Sequence, residues 1–351
     1  MKKQIVIPPT DYKFFPFEGG LDLVTPPIAM TNGSLRSASN VEIGINGGYA
    51  RLAGYERFSG KLKPSAATYA VLTCSITGSV SLGDVLTDDA GTSFGTVIAL
   101  PTGQAVLTLI TGTFSTGNIK VSGVTVGTCV GAQAIGGAST PALNARYLNL
   151  AADVYRALIT AVPGSGRVLG VQQYNGQVYA FRNNVGGTAA AMYVDSASGW
   201  AAVALGREVS FTSGGTVEVG AGDTITGATS GATALVTKVI LVGGSWAAGT
   251  AAGRIFFASQ TGSFQAENLN IGASLNVATI AADSAAVTLL PNGRYEFANH
   301  NFGGGVGTKK MYGVDGVNKG FEFDGTTFVQ INTGMTTDTP SHVYVVKNQL
   351  M

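Results

Sequence analysis

A duplicated segment is the feature of this chain that most constrains its fold. A Gly-Asp pair at Gly83 recurs at Gly222, an offset of 139 residues, and a Thr-Gly-Thr-Phe run ending at Phe114 recurs as Thr-Gly-Ser-Phe ending at Phe264, an offset of 150. The second copy is therefore 11 residues longer, and the small-residue tract 243–253 fits that insertion. Two copies of one module predict a surface built from repeated parts rather than a single reactive pocket.

The modules and the segments around them have β-type patterns. Short β-prone runs, such as residues 105–110, are separated by Gly, Ser and Thr at the spacing of an all-β sandwich or barrel. Outside the modules, strands follow one another across tight turns such as Asn175-Gly176 and Asp315-Gly316, and such meanders form the blades of β-propellers. We therefore predict a mainly β fold: a β-propeller-like antiparallel meander core with two inserted small β-sandwich or barrel modules and one amphipathic helix.

The pattern divides the chain into five segments. They are an N-terminal extended arm and hairpin that belong to the core (1–68), inserted module 1 (69–137), a helix followed by a propeller-like blade (138–206), inserted module 2 (207–289), and a blade with the start of a further strand (290–351). The helix is predicted over 141–162, with Thr140 as N-cap and Pro163-Gly164 as the stop. The last strand needs a neighbour, from the N-terminal hairpin near Asn46-Gly47, from a partner, or from further chain.

The charge content of the chain limits its partners. Charged residues are 12% of the chain, against about 25% in an average soluble protein. The net charge is +1 and no block of like charges occurs, whereas a sequence-independent grip on DNA requires several basic residues on one face. No run approaches the roughly 18 to 20 apolar residues of a membrane span, so no stable membrane insertion is expected. So few charges favour burial of surface by assembly with further copies of the chain.

Chemistry-bearing residues are sparse. His300 and His342 have no second His or Cys at ligand spacing, and no Gly-x-Ser-x-Gly elbow is present. We therefore predict no catalytic, metal or cofactor site and no enzyme activity. Cys74 and Cys129 flank module 1; each is interpreted as a small buried side chain, and a disulfide between them stays open because the strands at the two ends of the module could lie together.

Aromatic residues are the candidates for contacts with partners. Trp200 lies in a predicted hairpin, and Trp246 lies in the 11-residue extension among Gly and Ala. Either ring could be a core residue, or could bind a glycan or a partner chain if exposed, and Trp246 is the stronger candidate for exposure. Phe14, Phe15 and Phe17 belong to a Pro-rich extended arm that we expect to pack against another surface.

Several tracts of the chain resemble virion structural proteins of tailed bacteriophages. They are FFPFEGGLDLVTPPIAM and its continuation to residue 60, the run ITAVPGSGRVLGVQQYNGQVYAFRNN with MYVDSASGW, and GDTITGATSGATALV with GSWAAGTAAG. The tract MYGVDGVNKGFEFDGTTF, residues 311–328, is similar to propeller blades of the tail nozzle proteins of short-tailed phages, the tail tubular protein B family. The resemblance covers most of the chain, but the duplicated modules have no place in the common nozzle pattern.

The resemblance implies a ring, commonly a hexamer, at the distal end of the tail. Such a ring encloses the DNA exit channel and contacts an adaptor ring, tail fibres or a needle, and DNA passes without sequence-specific binding. The expected location is the virion tail, and the host cytoplasm during assembly. The alternative is a receptor- or glycan-binding tail component whose repeated modules contact the host surface. An enzyme acting on cell-surface polymer is disfavoured because Asp88-Asp89, in a turn, is the one close acidic pair.

Overall fold

The structure is a computed structural model that describes residues 19–37, 41–43, 49–51, 54–213, 215–305 and 307–351. The chain divides into two compact units, Met1–Glu56 and Arg57–Met351. The first unit contains a 3-10 turn (Pro27–Ala29) and the antiparallel hairpin of β1 (Val41–Ile43) and β2 (Tyr49–Arg51). The Asn46-Gly47 turn predicted between these strands lies outside the described residues. The mainly β prediction is confirmed.

Module 1 is a closed barrel, named barrel 1 here. Six of its strands pair in the order β6-β5-β4-β7-β8-β3, and β3 returns to pair with β6, while β9 lies on the outer edge of β3. The interior is filled by buried aliphatic side chains, Phe114 and two cysteines. The strands are β3 (Tyr69–Ile76), β4 (Val85–Asp88), β5 (Phe94–Ala99), β6 (Gln104–Thr111), β7 (Gly117–Val121), β8 (Val124–Cys129) and β9 (Ala134–Ile135).

The helix α1 (Pro141–Leu158) follows barrel 1 and packs on its outside. The Thr140 side chain accepts a hydrogen bond from the Leu143 amide (3.3 Å), which confirms the predicted N-cap. The predicted end at 162 is wrong by four residues, because Ile159 is already extended. The β-branched Ile159 and Thr160 and the following Pro163 disfavour a further helical turn. Val162 packs instead against Ala180 and Tyr193 of the sheet that follows.

Blade 1 is a four-stranded antiparallel meander that follows α1. Its strands pair in chain order, and the Asn175-Gly176 turn joins the first two with both residues at positive φ, 49° and 81°. That conformation is the one for which Asn-Gly turns are favoured. The strands are β10 (Ser165–Tyr174), β11 (Gln177–Asn183), β12 (Ala190–Val194) and β13 (Ala201–Ala202).

Module 2 repeats the barrel, named barrel 2 here. Its order, β17-β16-β15-β18-β19-β14 with β14 closing on β17 and β20 at the edge of β14, is that of barrel 1 strand for strand. The 11 extra residues lengthen β16, β17 and the turn between them. The strands are β14 (Arg207–Ser213), β15 (Thr224–Gly227), β16 (Thr233–Gly243), β17 (Ala252–Thr261), β18 (Glu267–Ile271), β19 (Ser274–Ile280) and β20 (Ala285–Ala286).

Blade 2 is a second four-stranded meander, followed by a short hairpin. Its strands again pair in chain order, and the hairpin packs on blade 2 through Val343 and Leu350 against Tyr312 and Val314. The blade strands are β21 (Glu296–His300), β22 (Lys310–Val314), β23 (Phe321–Phe323) and β24 (Phe328–Gln330), and the hairpin strands are β25 (Val345–Val346) and β26 (Gln349–Leu350). A second 3-10 turn, Pro64–Ala66, precedes barrel 1.

An aromatic layer joins the two blades face to face. Phe181 of blade 1 stacks on Tyr295 with ring centroids 4.1 Å apart, and Tyr179 meets Phe323 of blade 2 edge-on at 5.3 Å. Gly170 allows this approach, because a Cβ atom there would lie 2.5 Å from the Tyr295 Cβ. Adjacent meanders that share one buried layer are the packing of propeller blades.

Replacing Gly170 by Ala should separate the blades locally and lower the free energy of unfolding by about 1–3 kcal/mol, the usual cost of overpacking. Gly243→Ala is the control, since no atom lies within 4 Å of the added Cβ there and Ala is expected to be neutral or slightly stabilising. Urea unfolding of both variants measures the difference. Equal stability of the two variants would contradict the close packing of blades 1 and 2.

Candidate functional site

The two barrels use the same outer face for docking. In barrel 1, a row across three strands consists of Val71, Val106 and Ala99. Val71 and Val106 are buried against Tyr147, Ala151 and Tyr155 of α1, with Ala99 packed at the margin. The helix therefore covers this face of barrel 1 by apolar contact.

The corresponding row in barrel 2 is Glu208, Phe256 and Lys238. Phe256 is only 1% exposed, yet it does not belong to the barrel interior, where its neighbour Phe257 lies. Two of the three positions have thus changed from an aliphatic residue to a charged one. In barrel 2 this face is not covered by a helix but faces blade 2.

One ion pair and one hydrogen bond to the main chain fasten the face of barrel 2 to blade 2. Glu322 on β23 accepts hydrogen bonds from Lys238 of barrel 2 and from Lys310 on β22, the latter at 2.9 Å. Arg254 of β17 donates to Glu208 (3.0 Å) and to the main-chain carbonyl of Gln330 at the end of β24 (2.8 Å). We name these groups the barrel–blade lock: Glu208, Lys238, Arg254, Lys310 and Glu322.

Burial decides how much the lock contributes. The side chains of Glu322, Lys238 and Lys310 are 16%, 23% and 27% exposed, so their charges are partly desolvated. Burial alone would raise the pKa of Glu322, but the hydrogen bonds from Lys238 and Lys310 outweigh it and leave the pKa below its ordinary value. The ionised carboxylate is therefore the favoured form in the folded protein.

A polar network ties the linker between barrel 2 and blade 2 to both blades. Asn183 of blade 1 donates to the Asn292 side chain (2.8 Å) and accepts from the Asn292 amide (3.0 Å). In blade 2, the buried Asn318 side chain bonds both main-chain groups of Leu290 and donates to Asp315 (2.6 Å). Buried side-chain amides satisfied in this way fix one arrangement of the linker.

The structure places Trp246 in the core of barrel 2, which decides between the two settings left open for it against the exposed one. The ring is 7% exposed and stacks on Phe211 at 5.1 Å with an interplanar angle of 5°. The extended β16–β17 turn folds back, with the Gly249 amide donating to the Trp246 carbonyl. The extension therefore supplies an apolar closure to the barrel instead of a contact loop.

Trp200 and the phenylalanines of the arm are the other candidate contact residues. Trp200 is half-buried beside Val162, Ala180 and Tyr193 and meets Phe58 edge-on at 6.1 Å. Its indole N–H is buried with no hydrogen-bond partner among the described residues. Phe14, Phe15 and Phe17 lie outside the described residues, so their contacts stay a prediction.

The two histidines of the chain each contact one polar side chain. His342 contacts Glu296 (2.9 Å) and His300 contacts Asn348 (2.6 Å). Within the described ranges, no three His, Cys, Asp or Glu side chains are grouped closely enough to hold a metal ion, and no helix is long and apolar enough to cross a membrane. Comparison with protein-family models, with curated proteins and with solved structures found no match to this chain.

Sequence reasoning missed the barrel–blade lock, although a signal for it exists. Lys238 and Glu208 are charged residues at repeat positions where the first module has Ala99 and Val71. In a chain with only 12% charged residues, a charge that replaces an aliphatic partner within a strand marks a change of environment. The residues of the barrel–blade lock can hold barrel 2 and blade 2 together.

Replacing Glu322 by Gln should lower the free energy of unfolding by about 2 kcal/mol, between the ~1 of an exposed pair and the 3–5 of a fully buried one, because two lysines lose their carboxylate. The stabilisation by Glu322 is complete above its unfolded pKa of 4.5 and is lost as the pH falls through the lower folded pKa. Urea unfolding at pH 7 and below pH 4 measures both effects, and the difference from wild type should shrink at the lower pH.

Asp153→Asn is the matched control for Glu322→Gln, since it removes a carboxylate from the exposed Asp153–Arg156 pair on α1. Its stability should stay close to wild type, because exposed pairs contribute little. An equal loss in both variants would contradict a specific role for the barrel–blade lock.

Replacing Trp246 by Ala should lower the free energy of unfolding by about 3–5 kcal/mol, because it empties the barrel 2 core beside Phe211, and Trp246→Phe should lose less. Hydrogen exchange of β14 and β17 would report the loss locally. Leu275→Ala, at a side chain 69% exposed in the same barrel, should change little. Unchanged exchange in Trp246→Ala would contradict a core role for this ring.

Proposed function

We propose that the protein is a structural subunit of a phage tail, of the nozzle type. Copies of the chain assemble into a ring at the distal tail, the blades form the body of the ring around the DNA exit channel, and the barrels serve as platforms for adaptor, fibre or needle proteins. The observation that carries the proposal is the stack of two four-stranded meanders, blades 1 and 2, on one aromatic layer. The resemblance of residues 311–328 to nozzle blades agrees with it.

Exposed apolar side chains in the first unit support assembly. Leu23, Val24 and Ile28 are 74%, 92% and 97% exposed in the isolated chain. Exposed apolar patches mark contacts with other proteins, and these three side chains lie within residues 23–28. Subunit interfaces that persist are the more apolar ones. We assign these residues, with the neighbouring Phe14, Phe15 and Phe17, to the contact between neighbouring copies.

The attachment of barrel 2 fits a platform. Barrel 2 is bonded to blade 2 by the Lys238–Glu322 ion pair and by Arg254, which donates to the Gln330 carbonyl, and barrel 1 shares a core with α1. A platform that transmits force or positions a fibre needs such a fixed orientation, whereas a tethered binding module does not. The near-neutral charge of +1 suits a channel that lets DNA pass without gripping it.

The receptor- or glycan-binding alternative loses its main residue. It relied on an exposed Trp246, and that ring is covered by Phe211. Stacking on a sugar requires an accessible ring face. We therefore rank the structural proposal first.

Replacing Val24 and Ile28 together by Asp should convert the ring into monomers, because two charges would be buried in the contact. Mass photometry and negative-stain electron microscopy of the purified protein measure the oligomer. The double variant Val124→Asp/Leu275→Asp is the control, since both side chains are similarly exposed, 67% and 69%, on the barrels, and it should keep the ring.

Two results would contradict the proposal. The first is that the wild-type protein stays monomeric at every concentration and is also monomeric in the particle that carries it, which would contradict a ring. Rings that survive in Val24→Asp/Ile28→Asp while the barrel variant dissociates would place the contact on the barrels instead.

A further inference from the structure

The two cysteines of the chain lie directly opposite each other in barrel 1. Cys74 on β3 and Cys129 on β8 are register partners, and their side chains are buried in the same interior cluster. They are 2% and 0% exposed and both are free thiols. The strands that carry them adjoin in the barrel although 55 positions separate the cysteines in the sequence.

The backbone around the pair permits a bond between the sulfurs. The Val130 amide donates to the Thr73 carbonyl (3.0 Å), and the Cys74 amide donates to Gly103 on the other side of β3 (3.0 Å). Cys74 and Cys129 are therefore a non-hydrogen-bonded pair, the type whose Cα atoms are about 4.5 Å apart. That separation falls within the range of about 4.4–6.8 Å found for disulfides.

The ionisation of the thiols agrees with this proximity. Burial, and after it the neighbouring Cys74 thiol, raise the pKa of Cys129 to about 11. Both groups are therefore protonated at neutral pH, and protonated thiols are poor nucleophiles. Exchange with an external disulfide requires the chain to be unfolded or barrel 1 to open locally.

Barrel 2 shows what else can occupy this position. Leu72 pairs with Ala105 in barrel 1 as Val209 pairs with Ile255 in barrel 2, so that Phe211, two residues on, corresponds to Cys74. Phe211 pairs with Ile280 and is covered by Trp246. Barrel 1 lacks the extension that carries Trp246, and two small thiols stand where barrel 2 has its aromatic closure.

We propose that Cys74 and Cys129 are a disulfide site. The bond would join β3 and β8 of barrel 1 at the position where barrel 2 has its aromatic closure. The oxidant is a low-molecular-weight disulfide such as oxidised glutathione. One cysteine thiolate attacks it and releases one glutathione thiolate, and the other cysteine thiolate attacks the mixed disulfide and releases the second. One external disulfide is reduced to two thiols, and the protein loses two hydrogen atoms.

The test produces the full chain in cells with an oxidising cytoplasm that contain a disulfide isomerase, and in cells with a reducing one. Intact mass after alkylation in denaturant, with peptide mapping under non-reducing conditions, counts free thiols and locates the bridge. The oxidised protein should contain the Cys74–Cys129 peptide pair and no free thiol. Its melting temperature should exceed that of the reduced protein by about 5 °C or more.

The double variant Cys74→Ala/Cys129→Ala separates the bridge from other effects of oxidation. It should fold, and its melting temperature should be the same from both hosts. Soluble wild-type protein from the oxidising host that has two free thiols, a glutathione adduct, or a bridge between chains would overturn the proposal. A melting temperature that rises equally in the double variant would do the same. None of these outcomes depends on whether the protein forms a ring.

Discussion

The aromatic layer between blades 1 and 2 is the contact on which the rest of the second unit depends. Phe181, Tyr295 and Phe321 fill it, and the approach is close enough to require glycine at position 170. Barrel 2 is inserted between the two blades in the chain, and its first and last strands, β14 and β20, pair with each other, so the two blades leave the barrel at adjacent points. The hydrogen bonds from Asn183 to Asn292 and from Asn318 to Leu290 act at that junction. The blades thus define the frame to which the barrel is fastened.

Duplication and divergence explain why the described residues contain one α-helix, next to barrel 1 and not barrel 2. Each barrel has one outer face covered by another part of the chain, and both copies use the same three-stranded row for it. In barrel 1 the row is aliphatic and α1 covers it; in barrel 2 Glu208 and Lys238 stand at two of its positions and blade 2 covers it. A helix after barrel 2 would have no free face to cover. A charged row contributes little net energy compared with an apolar one, but each charge has its own partner: Arg254 for Glu208 and Glu322 for Lys238.

Sequence reasoning was most successful where backbone geometry alone decides. The Asn-Gly turn of blade 1, the Thr140 cap and the repeated Gly-Asp and Phe positions depend on local conformation, so their residues are informative by themselves. The end of α1 and the burial of Trp246 depend on distant contacts. The extension around Trp246 is rich in Gly and Ala, which is typical of an exposed loop, and the contacts that make it part of a core come from distant strands, Phe211 among them, 35 positions away in the sequence. The matched motifs of the repeat do not extend to the first strand of each barrel, because Val71 packs against α1 whereas Glu208 accepts a hydrogen bond from Arg254.

The surface that remains exposed on each barrel differs between the two copies. On the strands next to the docking row, Val85 pairs with Thr96 in barrel 1 and Thr224 pairs with Leu235 in barrel 2, so the apolar residue has changed strands. Phe94, 41% exposed, corresponds to Thr233. A partner whose apolar surface covers the Phe94 ring of barrel 1 would meet the Thr233 hydroxyl on barrel 2. The hydroxyl would then be covered without a hydrogen-bond partner, and the partner would bind barrel 2 less well. Two barrels with one topology therefore present different contact surfaces, both at these strand positions and at the lengthened end of β16, where Leu241 and Val242 are exposed.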